Sequence, residues 1–186
     1  IDRLREKKCF DASGMVINWT SYTYDRLGSR LTHDEIGGEG LTRYAYDSMN
    51  RLKRVEYPDG VTETYTYDKA GNRVKRDRSG QVTTYSHNAA NELVGFSGPD
   101  GSTTCTYDGL GNTLTRSSAA GTTTYAWDVE NRLAGIRFPD GREIAYLRNG
   151  DGVKVAETGP DGNVIRFVHD GLNIYQDLDA GGSVKA

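Results

Sequence analysis

The chain has 186 residues, enough for one ordinary domain, and only 35% of them are hydrophobic, which under-supplies a thick two-layer core. Its 23 basic and 26 acidic side chains give a formal charge of −3 with the signs interspersed, a surface that offers nothing to nucleic acid or to an anionic membrane. No long apolar run marks a membrane span or signal peptide, and Cys9 and Cys105, unrelated in spacing, support neither a disulfide framework nor a zinc site.

Residues 1–21 are the least regular stretch. Arg3-Leu4 reads as the tail of an earlier unit and Gly14 as a turn. Asn18-Trp19-Thr20, within the insertion Met15 to Ser21, is a glycosylation sequon, with Trp19 read as cover for a sheet edge. From Tyr22 a motif sets in: aromatic, small residue, second aromatic, aspartate. The second aromatic falls at Tyr24, Tyr46, Tyr67, His87, Tyr107, Trp127, Tyr146 and His169, after steps of 22, 21, 20, 20, 20, 19 and 23 residues. Tyr22, Tyr44, Tyr65, Tyr85 and Tyr125 fill the first slot, where one unit has Cys105 as a small packed hydrophobe. So regular a period predicts one small unit stacked many times: a single array over 1–186 of about eight or nine units, with 1–21 and 171–186 irregular or partial.

The unit from Val61 to Gln81 shows what each copy folds into. Val61, Glu63, Tyr65 and Tyr67 share one face and Thr62, Thr64 and Thr66 the other, which is strand periodicity in β-branched and aromatic residues. The residue between the rings is Thr23, Ala45, Thr66, Ser86, Thr106, Ala126, Ala145 or Val168, so one face carries rings and the other slim side chains. Which face points inward is not legible.

Two turns close each unit. In the first, Asp25, Asp47, Asp68, Asp108, Asp128 and Asp170 are placed to accept from backbone N–H groups just ahead, with Gly28, Gly71, Gly111 and Gly150 supplying positive φ. Asn50, Asn91 and Asn131 take that glycine slot elsewhere, as the next most tolerant residue. The second turn is expected to be sharper. All four prolines occur there as Pro-Asp-Gly, at Pro58, Pro99, Pro139 and Pro160, followed by Gly60, Gly101, Gly141 and Gly162. Gly40, Gly80 and Gly121 stand at the same place in other units, with Gly14 and Gly181 assigned likewise. His33 falls in a longer loop from Thr32 to Gly40. The predicted fold is all-β, a tandem array of antiparallel hairpins in a single-layer sheet of about sixteen to eighteen strands that curves under its own twist.

These residues resemble the RHS, or YD-repeat, family, named for the dipeptide present here as Tyr24-Asp25, Tyr46-Asp47, Tyr67-Asp68 and Tyr107-Asp108. The resemblance covers nearly the whole chain, and His87-Asn88, Trp127-Asp128, Tyr146-Leu147 and His169-Asp170 depart from it without breaking the period. It implies a hairpin strip that spirals into a large hollow shell. In bacterial toxin complexes and polymorphic toxins such a shell encloses a toxic C-terminal segment; in teneurins it is part of an adhesion protein. It further implies an exported bacterial setting, with the remaining repeats of the parent chain and the enclosed toxin as partners. The self-cleaving core of the family, with its Asp-Pro-x-Gly-Leu-type motif, is absent from this sequence.

Candidate chemistry is sparse. Equivalent aspartates of neighbouring units lie two strands apart, about 9.6 Å, too far for a shared-proton dyad. Asn149-Gly150-Asp151-Gly152 has the look of a calcium loop, but an EF-hand framed on it would begin at Leu147 and close at Thr158, neither a suitable ligand. His33, His87 and His169 fall in separate units and form no triad. The reading is a non-enzymatic structural module without catalytic residue, metal or cofactor. Its working residues are the ring and turn positions. The alternative is a module that binds carbohydrate or a cell-surface partner through its ladder of rings.

Overall fold

The computed structural model describes residues 3–36, 40–170, 173–179 and 181–184, with backbone alone at 36, 170 and 173–175. Seventeen strands and no helix occur among the described residues, in one open antiparallel sheet. Their contacts group into two compact units, one running to His87 and the other holding almost everything after it.

In the first unit β1 (Glu6–Phe10), β2 (Val16–Tyr24), β3 (Arg30–Ile36), β4 (Thr42–Tyr46), β5 (Leu52–Glu56), β6 (Thr62–Tyr67), β7 (Arg73–Arg78) and β8 (Gln81–His87) each pair with the next strand in the chain. The second unit repeats the scheme through β10 (Gly101–Tyr107), β11 (Thr113–Ser118), β12 (Gly121–Trp127), β13 (Leu133–Arg137), β14 (Glu143–Arg148), β15 (Lys154–Thr158), β16 (Val164–Asp170) and β17 (Asn173–Leu178). Residues of β9 (Leu93–Gly98) are divided between the two units.

A single layer buries little. Val55 is the one hydrophobic residue that is fully buried among the described residues, at 3% exposure. The rings are half-buried, whereas Thr23, Ala45, Thr66, Ser86, Thr106, Ala126, Ala145 and Val168 are all exposed. The slim face is therefore the barer one.

A β-bulge recurs at one place in the repeat. The register shifts at Thr23/Tyr24, Ala45/Tyr46, Thr66/Tyr67, Thr106/Tyr107, Ala126/Trp127, Leu147/Arg148 and Val168/His169. An extra residue there bends the strand and sharpens its twist just before the turn. The bulge also corrects one assignment. Arg148, not Tyr146, holds the second slot of its unit, and Tyr146 holds the first. The steps from Trp127 to Arg148 and from Arg148 to His169 then become 21 residues each. The residue between the slots is Leu147 rather than Ala145, so the small-residue rule has one exception.

Three turn assignments change as well. Positive φ falls at Gly152 (80°) and Gly182 (84°), not at Gly150 or Gly181, because Asn149 and Asp179 open those turns three residues earlier. Around Pro58, Pro139 and Pro160 the second turn is no sharper than the first. Tyr57 N–H donates to the Val61 carbonyl at 2.9 Å, the same closure that Asp68 N–H makes with Asn72 at 2.9 Å. Tight two-residue links occur at Ser79-Gly80, where both φ are positive (48° and 90°), at Ala119-Ala120, and, as expected of Pro-Asp-Gly, at Pro99-Asp100. His33 lies within β3, stacked on Tyr22 with centroids 5.1 Å apart, because Tyr22 and His33 are direct cross-strand partners. Trp19 lies within β2, its indole N–H donating to Glu6 and Lys8 standing over its ring. The side chain of Asp170 is outside the described residues.

Candidate functional site

The residues singled out in the sequence gather into a seam that joins each unit to the next. At the first turn, one carboxylate oxygen of Asp47 accepts from the N–H groups of Met49 and Arg51, each at 2.9 Å. Asp108 accepts from Leu110 and Asn112 at 2.9 Å, Asp128 from Glu130 at 3.0 Å and Arg132 at 2.9 Å, Asp25 from Gly28 at 2.7 Å and Ser29 at 2.8 Å. Asp68 accepts from Asn72 at 2.8 Å. Asn88 and Asn149 do the same through Oδ1, which occupies the oxygen a calcium ion would need from Asn149. In the Pro-Asp-Gly turns Asp59, Asp140 and Asp161 cap the residue two ahead.

These hydrogen bonds favour the charged carboxylate. The Arg51 backbone N–H beside Asp47, the Asn72 amide beside Asp68, the Asn112 amide beside Asp108 and the Arg132 backbone N–H beside Asp128 each hold an aspartate below its ordinary range.

The second slot is a donor slot. Tyr24 Oη donates to the carbonyl of Leu4, Tyr46 to Arg30, Tyr67 to Leu52 and Tyr107 to Leu93, at 2.8, 2.8, 2.7 and 2.8 Å. Trp127 Nε1 donates to the Thr113 carbonyl at 2.8 Å, and His169 Nε2 lies 2.7 Å from that of Lys154. From Arg30 onward, each receiving residue is the first of the neighbouring strand, just beyond the preceding turn. The ring of one unit thus clamps the turn of the unit before it. Phe167 and Cys105, which have no strong donor, stand only in the first slot.

A third set of contacts runs forward from turn to turn. Ser29 Oγ donates to Asn50 at 2.6 Å, Arg51 Nη1 to the Asp68 carbonyl at 3.3 Å, and Asn112 Nδ2 to Asn131. Arginine faces add to the rings: Arg30 over Tyr22, Arg51 over Tyr67 and Arg73 over Tyr85, each 4.6 Å from the centroid. Tyr24, Tyr65 and Tyr67 are engaged at both tip and face.

The positional pattern did not single out two features. Glu63, 4% exposed, sits under Arg76 and Arg78 and accepts from Tyr65 Oη at 2.6 Å. Arg76, ahead of Tyr65 and Arg78, holds its carboxyl down at about 2 against the pull of burial. The signal was present: β7 carries two arginines two residues apart, directly across from the Glu63 face. The other is Arg148, whose Nη1 is buried without a partner, as is Nδ1 of His87 and of His169. The irregular 19 and 23 steps were its sequence trace. No cluster of three His, Cys, Asp or Glu side chains suited to a metal occurs among the described residues.

The sequence matches the RHS Repeat family over residues 46–78, 67–103 and 107–143. No curated protein sequence matches. Among solved structures, the crystal structure of TcdB2-TccC3-Cdc42 is similar at 14% identity over 94% of this chain and 13% of that one, with a TM-score of 0.48. The Tc holotoxin pore of Photorhabdus luminescens is similar at 15% identity over 94% of this chain and 14% of that one, with a TM-score of 0.47. The crystal structure of TcdB2-TccC3 gives 14% identity over 92% and 14%, with a TM-score of 0.47. The chain thus spans about an eighth of the length of the proteins it resembles.

Proposed function

We propose, because this chain belongs to the RHS repeat family, that it is a stretch of wall: one arc of a hollow shell that encloses a polypeptide cargo of its parent protein and performs no catalysis itself. The observation that carries this reading is the thinness of the sheet. With one buried hydrophobic residue among those described, the molecule is not organised around a core. It is organised along a seam, where backbone pairing, ring clamps and turn contacts hold successive units edge to edge. A repeat array of this kind gains strength from its neighbours and presents two faces to two compartments. The partners are the adjoining repeats and the enclosed segment, in an exported bacterial protein. The ring and turn residues act as scaffold throughout the single array.

The test is limited proteolysis of the full-length parent. The cargo should resist digestion in the intact protein and become accessible when Tyr67→Ala and Trp127→Ala weaken two clamps. Digestion of the cargo at the rate of the free polypeptide in the unaltered parent would overturn the reading.

A further inference from the structure

On the slim face of β14 to β17 lies a trough of about 640 Å³ lined mostly by apolar side chains, with Thr158 and a single charge, Arg166, among them. Leu147, Ala156, Arg166 and Leu178 form a cross-strand row, with Ala145 and Val164 beside it. Val164 and Val168 flank Arg166 at two residues on either side along β16, about 6.8 Å away each way. Leu147 is 63% and Val168 39% exposed. Arg166 is exposed, and its side chain makes no hydrogen bond, ion pair or ring contact among the described residues. Of the carboxylates around it, Glu157 on β15 turns the other way and binds Lys154 Nζ at 2.8 Å, where Lys154 stands over the Phe167 and Tyr146 rings, and Asp161 caps Asn163 in the turn before β16.

An uncompensated cation between two valines at strand spacing has a complement. An extended chain laid along β16 places side chains on one face every second residue. A carboxylate over Arg166 then brings the residues two before and two after it over Val164 and Val168, where apolar groups bury the exposed floor. We propose that this trough is a docking site for an extended polypeptide segment in which one acidic residue is flanked at i−2 and i+2 by large apolar residues. The proposal rests on the wall reading, with the slim face as the one turned to the cargo, and it names the kind of cargo sequence that face holds.

The probe is a fluorescein-labelled peptide with the core Leu-Thr-Glu-Thr-Leu, compared by anisotropy with its Glu-to-Lys counterpart on the full 186-residue chain. The glutamate peptide should bind better, by up to about fivefold, the range of an exposed ion pair. Arg166→Glu should invert that preference, and Leu147→Asp should abolish binding of both, with far-UV circular dichroism unchanged. A preference that Arg166→Glu leaves untouched would overturn the proposal, as would saturation by laurate with no peptide binding. Protease shielding in the Arg166→Glu parent separates the two readings. Shielding kept while the peptide preference is absent removes the docking site and leaves the wall; cargo open in the unaltered parent removes the wall whatever the peptides do.

Discussion

Asp47, Asp108 and Asp128 each gather two backbone donors on a single oxygen, which is why Asn88 and Asn149 can cap the same turn. Asp68→Asn keeps the oxygen that caps the turn but sets an amide against Asn72 Nδ2, so it should lower the urea midpoint, though less than Asp68→Ala, which removes both bonds. Glycines divide by surroundings. Gly71 has φ 97° with open space around a would-be Cβ, so Gly71→Ala should cost about 1–2 kcal/mol of backbone strain alone. At Gly121, φ 111°, the same atom would meet Pro139 Cβ at 2.6 Å, and Gly121→Ala should lower the urea midpoint further than Gly71→Ala does. Equal midpoints would contradict the turn geometry. Glu63 titrates in the folded chain at about 2 instead of its ordinary 4.5. The folded state thus favours the charged form: its contribution is complete above pH 4.5 and is lost as pH falls toward 2. Glu63→Gln should flatten that part of the stability–pH curve.

At the scale of the hairpin, the bulge and the donor slot act as one device: an extra residue aims the last side chain of the strand at the adjoining turn. Tyr67→Phe removes the donor and leaves the Leu52 carbonyl without it, a loss of about 1–3 kcal/mol in chemical unfolding. Arg148 is where the device is incomplete. Arg148→Tyr, which restores the usual ring and hydroxyl, should raise stability by about 0.5–1.5 kcal/mol. A fall would show that this unit has settled on a different clamp. This level also shows what the chain made legible. Strand and turn alternation could be read because period-two patterning and Asp-x-x-Gly chemistry are local. The true slot at Arg148 could not, because an arginine is not an aromatic and only the cross-strand register reveals the bulge. His33 was misplaced for a similar reason: Arg30 to Ile36 lacks ring-slot signals, and its strand is imposed by pairing with β2. The Pro-Asp-Gly turns at Pro58, Pro139 and Pro160 looked tighter than they are, while Pro99-Asp100 alone links β9 to β10, because proline presets φ without deciding how many residues the loop contains.

For the molecule as a whole, the two-sided thinness of the sheet makes carboxylate charge a shared liability. Asp47, Asp68, Asp108 and Asp128 are all held below their ordinary value of 3.8, so each stabilises the fold above that pH and ceases to as pH falls through its lowered folded value. Acid unfolding should begin below about pH 4 and shift upward in the Asp68→Ala variant. The outer edge of β1 has no partner among the described residues, and unpaired edges template association. Sedimentation velocity should show an apparent mass that grows with concentration; a monomer at every concentration would mean that the edge is protected. The forward-reaching turn contacts carry one more consequence, for how such a chain changes over generations. Every unit offers the same chemistry behind it and ahead of it, so the splice matters less than its phase. Excising residues 108–127 joins Tyr107 directly to Asp128, a junction of the same kind as the one removed. Recombination in whole periods therefore alters only the length of the ribbon, which is open to selection without the invention of a new kind of contact.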